Sequence, residues 1–127
     1  MDERFLSRGK RIDNGEWVQG YYAKITLIDE LLCIGDCYKC DVIFSEGRYF
    51  CVDSSTINQC TGLRDKNNVL IFEDDIVKER RGYVAKVAWI DCGFERRGYN
   101  GYHALKAKEQ EIIGNSHDNP KLLDEMR

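Results

Sequence analysis

The sequence predicts a mainly β protein built from two small, joined β lobes, the second of which is an SH3-like barrel. Short apolar runs rich in valine, isoleucine and aromatic residues recur at roughly 8- to 12-residue intervals, with turn-forming residues between them. The clearest run is Tyr83–Ile90, whose odd-numbered positions are all apolar, as in a strand with one buried face. A chain of 127 residues suits a single domain over residues 1–127, with lobes at about 1–60 and 61–127.

The composition is that of an ordinary globular protein. Hydrophobic residues make up 43% of the chain and charged residues 32%, which argues against disorder. The net charge of −3 provides no overall attraction to nucleic acid or to an anionic membrane. No apolar run approaches the ~20 residues of a transmembrane helix, and the first residues lack the apolar centre of a signal peptide. We therefore expect a cytoplasmic protein.

The first lobe begins with a predicted β hairpin. Asn14-Gly15 is the strongest short hairpin sequence, and residues 16–22 form its returning strand. Residues 23–32 fit a short helix about as well as a strand, and we favour strand and turn. Residues 33–41 have the composition of a loop. Residues 42–52 complete the lobe as a second hairpin with a glycine-containing turn.

The second lobe is organised around Thr61–Val77. Within it, Asp65–Asn68 is turn-forming, because Asp and Asn side chains bond the local backbone and Asn tolerates positive φ. A second turn at Glu73–Asp75 separates two short apolar strands. Tyr83–Ile90 follows as a third strand. Asn119-Pro120 begins a final helical turn, with Asn as the cap and Pro at the first helical position.

The central segment and the C-terminal region carry a family pattern. In the centre the matching residues are Thr61, Gly62, Leu63, Asp65, Asn67, Ile71, Glu73, Asp75, Ile76 and Val77. Near the end they are Ile113, Gly114, Asn115, Asn119, Pro120, Leu122 and Leu123. The chain thereby resembles the YopX family, whose pattern runs roughly T-G-L-x-D-x-N-G-x-x-I-Y-E-G-D-I-V and closes with I-G-N-x-x-E-N-P-E-L-L. Residues 8–22 also resemble the opening of that family, so the resemblance extends over the chain.

The resemblance implies a β-rich fold, a bacteriophage or prophage origin within a bacterial host cell, and no assigned activity. Two positions depart from the pattern, since Asn68 and Asp74 stand where the family has glycine. Glycine in such turns usually supplies a positive φ, which Asn adopts more readily than Asp. The turn at residues 73–75 is therefore where we expect a departure from the family geometry.

The six cysteines are Cys33, Cys37, Cys40, Cys51, Cys60 and Cys92. A reducing cytoplasm disfavours a disulfide framework. Cys37 and Cys40 form a CxxC with Cys33 just before it, but structural zinc takes four ligands and no second CxxC or HxxxH pair is present. A thioredoxin-like CxxC would require a βαβ unit, which the sequence does not indicate. We therefore predict loop thiols with no bound zinc and no disulfide.

The acidic turn Glu73-Asp74-Asp75 is the one carboxylate cluster that suggests cation binding or acid–base chemistry. An isolated acidic turn is more often a solvated corner, and His103 and His117 lie far apart in the sequence. The sequence also lacks a glycine-rich phosphate loop, a G-x-S-x-G and an HExxH. We predict no catalytic residue, no metal and no cofactor, and a metal-dependent enzyme at this turn remains an alternative.

Residues 78–109 are locally basic, with eight cations against four carboxylates, and aromatic residues interleave with them. Small barrels bind single-stranded nucleic acid through basic grooves with stacking aromatics, although Tyr83 and Trp89 fall on the strand face predicted to be buried. The region also has more apolar surface than one small barrel readily hides. The candidate interaction surface consists of Arg80, Arg81, Arg96, Arg97, Tyr99 and Tyr102.

These observations predict a non-enzymatic accessory protein of a phage or prophage. We expect it to self-associate, or to bind a phage or host protein, through the candidate interaction surface, because exposed sheet edges and apolar patches promote pairing. A nucleic-acid-binding small-barrel module is an alternative, which the acidity of the whole chain disfavours. No membrane partner is expected.

Overall fold

The computed structural model describes residues 3–28, 37–90, 93–98, 101–104 and 106–126. Within these ranges it contains eleven β strands, four short 3₁₀ segments and no α-helix, so the mainly β class is confirmed. The 3₁₀ segments are Glu3–Phe5, Ser54–Thr56, Ala107–Glu109 and Pro120–Met126. None of the described helical segments is long and apolar enough to cross a membrane. The chain divides into two compact units, one of residues 5–57 and the other of residues 1–4 and 58–127.

The unit of residues 5–57 is built on an antiparallel sheet. Its strands are β1 (Ser7–Lys10), β2 (Trp17–Ile28), β3 (Cys37–Ser45) and β4 (Arg48–Cys51), hydrogen-bonded in the order β4-β3-β2-β1. The predicted hairpin turn at Asn14-Gly15 joins β1 to β2. There the Arg11 N–H donates to the Glu16 carbonyl over 2.9 Å, and Gly15 has a φ of 72°, a conformation that glycine adopts without steric cost.

The segment before Val42 differs from the prediction. Residues 33–41 have a loop-like composition, yet Cys37–Ser45 is one continuous strand. Its backbone pairs with β2 in register from Cys37 opposite Ile28 to Phe44 opposite Tyr21. The strand prediction for residues 23–28 is correct, since β2 extends through Ile28. Cross-strand pairing, which local composition does not report, decides the structure here. Residues 29–36 lie outside the described part of the chain.

The unit of residues 58–127 contains a hairpin and a five-stranded antiparallel sheet. Its strands are β5 (Asn58–Arg64), β6 (Leu70–Phe72), β7 (Asp75–Glu79), β8 (Val84–Ile90), β9 (Gly93–Gly98), β10 (Gly101–Ala104) and β11 (Gln110–Asn115). β5 pairs with β6 around the predicted turn, and the sheet has the order β10-β9-β8-β7-β11. Its core consists of Ile71, Val77, Ala85, Val87 and Ala107, with Ile112 packed against them.

The predicted SH3-like barrel is not confirmed. Among the described strands of this unit, β10 and β11 are the two outer strands of an open sheet. A barrel requires the first and last strands of a sheet to pair. The spacing of apolar runs predicts how many strands form, whereas closure depends on tertiary pairing.

Tyr83 also differs from the prediction. Ala85 and Val87 are buried on β8 as expected, whereas Tyr83 is 65% exposed. The strand begins at Val84, so Tyr83 belongs to the preceding turn, where its carbonyl accepts a hydrogen bond from the Glu79 N–H over 2.9 Å. Val84 and Ala85 are both buried, so the alternation of buried and more exposed positions begins at Ala85, two residues later than the sequence indicates.

Two glycines of the family pattern occupy positions that a side chain would not fit. Gly62 has a φ of 77°, and a Cβ there would overlap Cγ of Arg4. A Cβ on Gly114 would lie 2.5 Å from Oδ1 of Asn119. The two residues that replace glycine keep the expected left-handed backbone, with φ of 66° at Asn68 and 68° at Asp74. Both residues therefore adopt the positive φ that a glycine would supply, including at residues 73–75, where we expected a departure.

Candidate functional site

A cleft of about 1080 Å³ lies in the unit of residues 58–127. Three segments distant in sequence line it: Lys66 in the β5–β6 turn, residues 79–81 at the β7–β8 hairpin tip, and residues 106–110 leading into β11. Its cations are Lys66, Arg80, Arg81, Lys106 and Lys108, and its two carboxylates are Glu79 and Glu109. A concave surface with this excess of positive charge suits an anionic ligand. We call it the basic cleft.

The β5–β6 turn is fixed by the buried carboxylate of Asp65, which is 5% exposed. Its Oδ1 accepts hydrogen bonds from the Asn67 and Val69 N–H groups, each over 2.9 Å. Its Oδ2 accepts from the Ile112 N–H of β11 over 3.0 Å. The neighbouring Lys66 N–H donates to the Gln110 carbonyl over 2.9 Å. These bonds hold the turn against the start of β11 and so place Lys66 beside Gln110.

The two arginines sit at the tip of the β7–β8 hairpin. Its turn is closed by hydrogen bonds from the Gly82 N–H to the Glu79 carbonyl and from the Glu79 N–H to the Tyr83 carbonyl, each over 2.9 Å. Glu79 lies opposite Gln110 in the β7–β11 register. Arg80 and Arg81 are both exposed, so their guanidinium groups are available to a ligand in water.

Gln110 is the buried polar residue of the basic cleft. It is 1% exposed, and neither its side-chain nitrogen nor its side-chain oxygen has a hydrogen-bond partner within the described part of the chain. A buried amide without partners costs free energy of about 1–3 kcal/mol per group, and native structures contain few such groups. Both amide atoms are closed to solvent, so a ligand would reach them only after the neighbouring side chains move.

One ion pair beside the basic cleft is weak. Lys66 Nζ lies 3.3 Å from Oε2 of Glu111, and both side chains are about half exposed, at 50% and 43%. Exposed pairs of this kind contribute roughly 0–1 kcal/mol. Lys66 can therefore exchange Glu111 for a ligand phosphate at little cost.

The structure brings two of the six predicted interaction residues, Arg80 and Arg81, into the basic cleft. The backbones of Arg96 and Arg97 lie on β9 and that of Tyr102 on β10, opposite Arg97. Tyr99 lies outside the described residues. A surface formed by these four residues therefore stays a prediction. Sequence reasoning had no means of finding Lys66 or Gln110, because charge counting along the chain does not report burial or long-range proximity.

The three carboxylates of the acidic turn, at residues 73–75, do not form a single site. Asp75 is buried, and its Oδ2 accepts a hydrogen bond from the Phe72 N–H over 2.8 Å, which is a structural role. Burial raises the pKa of the Glu73 carboxyl, and the nearby Asp74 raises it further. Among the described residues, no group of three or more His, Cys, Asp or Glu side chains is placed to hold a metal ion. The geometry therefore gives no support to a metal-dependent enzyme at this turn.

The structure brings Asp74 and His117 together, which the sequence did not predict. His117 Nε2 lies 3.4 Å from Oδ2 of Asp74 and 3.1 Å from Oδ1 of Asn58. Asn58 Nδ2 donates to Oδ2 of Asp74 over 2.9 Å. Lys86 Nζ lies 3.9 Å from Oδ1 of Asp74. These contacts tie the β6–β7 turn to β5 and to the turn after β11, and they help to hold Asp74 in its left-handed conformation.

The described thiols of Cys40, Cys51 and Cys60 are free. Burial raises the pKa of the Cys60 thiol. Burial and the neighbouring Cys40 thiol raise the pKa of the Cys51 thiol. A raised pKa keeps a thiol protonated and unreactive near neutral pH. The side chains of the other three cysteines lie outside the described part of the structure.

Comparisons with known proteins agree with this fold. A protein-family model described as YopX protein matches residues 8–124, which include every residue of the basic cleft. Among solved structures, the crystal structure of protein EF1440 from Enterococcus faecalis is similar, with a TM-score of 0.50 and 25% sequence identity. That similarity covers 92% of this chain and 96% of that chain. No curated protein matches the chain.

Proposed function

The chain belongs to the YopX family, and from this premise we propose that it is a non-enzymatic module that binds the phosphate backbone of nucleic acid in the basic cleft. The observation that carries the proposal is a concave site lined by five cations and two carboxylates. It also borders Gln110, whose buried amide has no hydrogen-bond partner within the described part of the chain. Lysine and arginine supply the attraction to phosphates. An amide both donates and accepts hydrogen bonds, as sugar and base edges require. The phage or prophage setting implied by the resemblance is part of this proposal.

The charge distribution supports a local rather than a global attraction. The whole chain carries a net charge of −3, while the basic cleft concentrates five cations against two carboxylates. Attraction over such a patch decays within a Debye length of about 8 Å at physiological salt. Affinity should therefore be modest at physiological salt and should rise steeply as salt is lowered.

The test is binding of a fluorescent DNA oligonucleotide, followed by anisotropy across a salt series. We expect log Kd to change linearly with log salt concentration, because binding releases counterions. Arg80→Ala and Arg81→Ala should each weaken binding and lower the magnitude of the slope by about one. Lys121→Ala is the matched control, because Lys121 is exposed and does not line the cleft. Absence of binding at low salt, or an equal effect of the control, contradicts the proposal.

The Gln110→Leu variant distinguishes a contact between the amide and the ligand from an effect of the amide on folding. Leucine is similar in volume and removes the two unpartnered polar atoms, so the free energy of unfolding without ligand should stay the same or increase. If the amide contacts the ligand, affinity should fall at every salt concentration with little change in slope, since no charge is lost. An unchanged ligand affinity in Gln110→Leu would show that the amide does not contact the ligand. The proposal would then rest on the cations alone.

A further inference from the structure

A second pocket, of about 560 Å³, adjoins the basic cleft. Lys66 and Lys108 line both of them, and both lie within the unit of residues 1–4 and 58–127. Arg64 adds a sixth cation to the five of the basic cleft. The carboxylates among the described lining residues of this second pocket are Glu3 and Asp65. We call it the adjoining pocket.

Arg64 is held in a fixed orientation in the adjoining pocket. Its Nη1 donates a hydrogen bond to the Asn68 carbonyl over 2.9 Å, which ties the guanidinium to the β5–β6 turn. Its Nη2 donates to Oε2 of Glu3 over 2.5 Å. A guanidinium binds carboxylate and phosphate oxygens with the same planar geometry. A phosphate can therefore replace Glu3 while the bond to Asn68 keeps the guanidinium in place.

Glu3 is the carboxylate of the adjoining pocket that a ligand can displace. The Glu3 and Arg64 side chains are 42% and 38% exposed, and ion pairs in contact with water stabilise a protein little. Asp65 is 5% exposed and accepts three backbone hydrogen bonds, so its carboxylate is committed to the turn. Displacement of Glu3 would leave the pocket with a net excess of positive charge.

We propose that one nucleic-acid strand occupies the basic cleft and the adjoining pocket together, and that one of its phosphates displaces Glu3 from Arg64. The inference rests on the proposed function for its class of ligand, and it adds a further phosphate contact and a carboxylate that competes with the ligand. A strand carries a negative charge at every nucleotide, so its successive phosphates can neutralise cations in both concave surfaces. The shared Lys66 and Lys108 make the two surfaces continuous for such a ligand.

The Arg64–Glu3 ion pair has an alternative role that is purely structural. It connects the N-terminal residues to β5, where Cγ of Arg4 lies against Gly62. In that role, Glu3→Gln would lower the thermal stability and leave the ligand affinity unchanged. Displacement by a phosphate instead predicts that Glu3→Gln raises the ligand affinity.

The test is a double-mutant cycle on Glu3 and Arg64, with an oligothymidylate of roughly 16 nucleotides as the probe and fluorescence anisotropy as the readout. Arg64→Gln removes the cation and keeps an N–H donor for the Asn68 carbonyl. It should lower affinity at least roughly threefold and reduce the magnitude of the salt slope by about one. Glu3→Gln should raise affinity roughly two- to fivefold, as expected for loss of an exposed ion pair. In the Arg64→Gln background, Glu3→Gln should have no effect, because the carboxylate acts through Arg64.

Glu16→Gln is the matched control, since it removes an exposed carboxylate that lines neither concave surface. Thermal unfolding verifies that every variant folds. An Arg64→Gln variant that binds as the wild type does, while Arg80→Ala is weakened, overturns the role of the adjoining pocket and leaves the proposed function standing. Weakening by Arg64→Gln but not by Arg80→Ala overturns a strand shared between the two surfaces.

Two further outcomes would also contradict the inference. A rise in affinity for Glu3→Gln no larger than that for Glu16→Gln overturns the displacement of Glu3. Equal affinity for a polyglutamate peptide of matched charge overturns nucleic acid as the ligand. If the wild type binds no oligothymidylate at low salt, the proposed function fails and this inference fails with it.

Discussion

At the scale of single residues, Asp65 organises the basic cleft without lining its cationic rim. Its carboxylate accepts three backbone hydrogen bonds, two within its own turn and one from Ile112. Asp at the first position of a turn commonly bonds the backbone two residues on. The third bond is different, because it joins segments that lie 47 residues apart. A local turn residue thus also sets the distance between Lys66 and Gln110.

Removal of the Asp65 carboxylate should destabilise the protein. Asp65→Ala leaves three backbone donors without their acceptor, and we expect the free energy of unfolding to fall by at least about 2 kcal/mol. Urea unfolding followed by intrinsic fluorescence measures this directly. Asn67→Ala is the control, because Asn67 is exposed and belongs to the same turn. An Asp65→Ala variant as stable as the Asn67→Ala variant would refute the role given to this carboxylate.

At the scale of elements, the β3–β4 hairpin closes with a strained two-residue turn. Ser45 pairs with Arg48, so the loop is Glu46-Gly47, and both residues have positive φ, 53° and 77°. These values identify a two-residue turn of the type I′ class, whose twist matches that of the flanking strands. Asparagine and glycine suit such a turn, whereas a glutamate in the left-handed region is strained. The turn keeps Phe44 opposite Tyr49.

Two substitutions in this turn should change stability in opposite directions. Glu46→Asn should raise the free energy of unfolding by about 0.5–1 kcal/mol, since asparagine adopts positive φ more readily. Gly47→Ala should lower it by about 1 kcal/mol. No atom lies within 4 Å of a Cβ placed on Gly47, so that loss is conformational rather than steric. Thermal unfolding measures both variants, and shifts of the same sign would be inconsistent with a type I′ turn.

At the scale of the whole molecule, charge and sheet edges affect different interactions. Charge affects the binding of anionic ligands, and sheet edges affect pairing with another chain. The net charge of −3 provides no overall attraction to anionic ligands, whereas cations cluster in the basic cleft. Of the two outer strands of the second sheet, β11 bonds the β5–β6 turn through Gln110 and Ile112. The other, β10, is the edge at which pairing with another chain is expected. The salt dependence of ligand binding therefore tests the effect of charge. The oligomeric mass in solution tests pairing through the sheet edges.

The prediction of self-association through residues 80–102 is tested by light scattering coupled to size exclusion at two salt concentrations. We expect a mass above the 14.8 kDa of one chain, unchanged by salt, because apolar contacts are not screened. The double substitution of Tyr99 and Tyr102 by serine should reduce that mass. A single 14.8 kDa species in the wild type would rule out self-association, and an oligomer unaffected by the double substitution would rule out this loop as the contact.

The sequence by itself determined the turns and most of the strands of this protein, although the strand at residues 37–41 was not predicted. Asn14-Gly15 and Asp65–Asn68 form the predicted turns because their side chains and φ preferences act within a few residues. Tyr83–Ile90 predicted a strand, since alternation is also a local property, and only its first residue was misplaced. The family pattern could also be recognised in the sequence. It includes the glycines at 62 and 114, where no side chain fits. The clustering of cations in residues 78–109 identified Arg80 and Arg81 as candidates for binding.

The tertiary structure alone decided what these elements form together. Lys66 meets Arg80 and Gln110 because a carboxylate and a strand register join segments distant in the chain, and no local pattern encodes such a distance. The same holds for Asp74 with His117 and for the row of Tyr21, Phe44 and Tyr49, whose alignment depends on how β2, β3 and β4 pair. Burial of Gln110 and the position of β10 as an outer strand have the same origin. Long-range pairing sets register and exposure, and the basic cleft depends on these two properties.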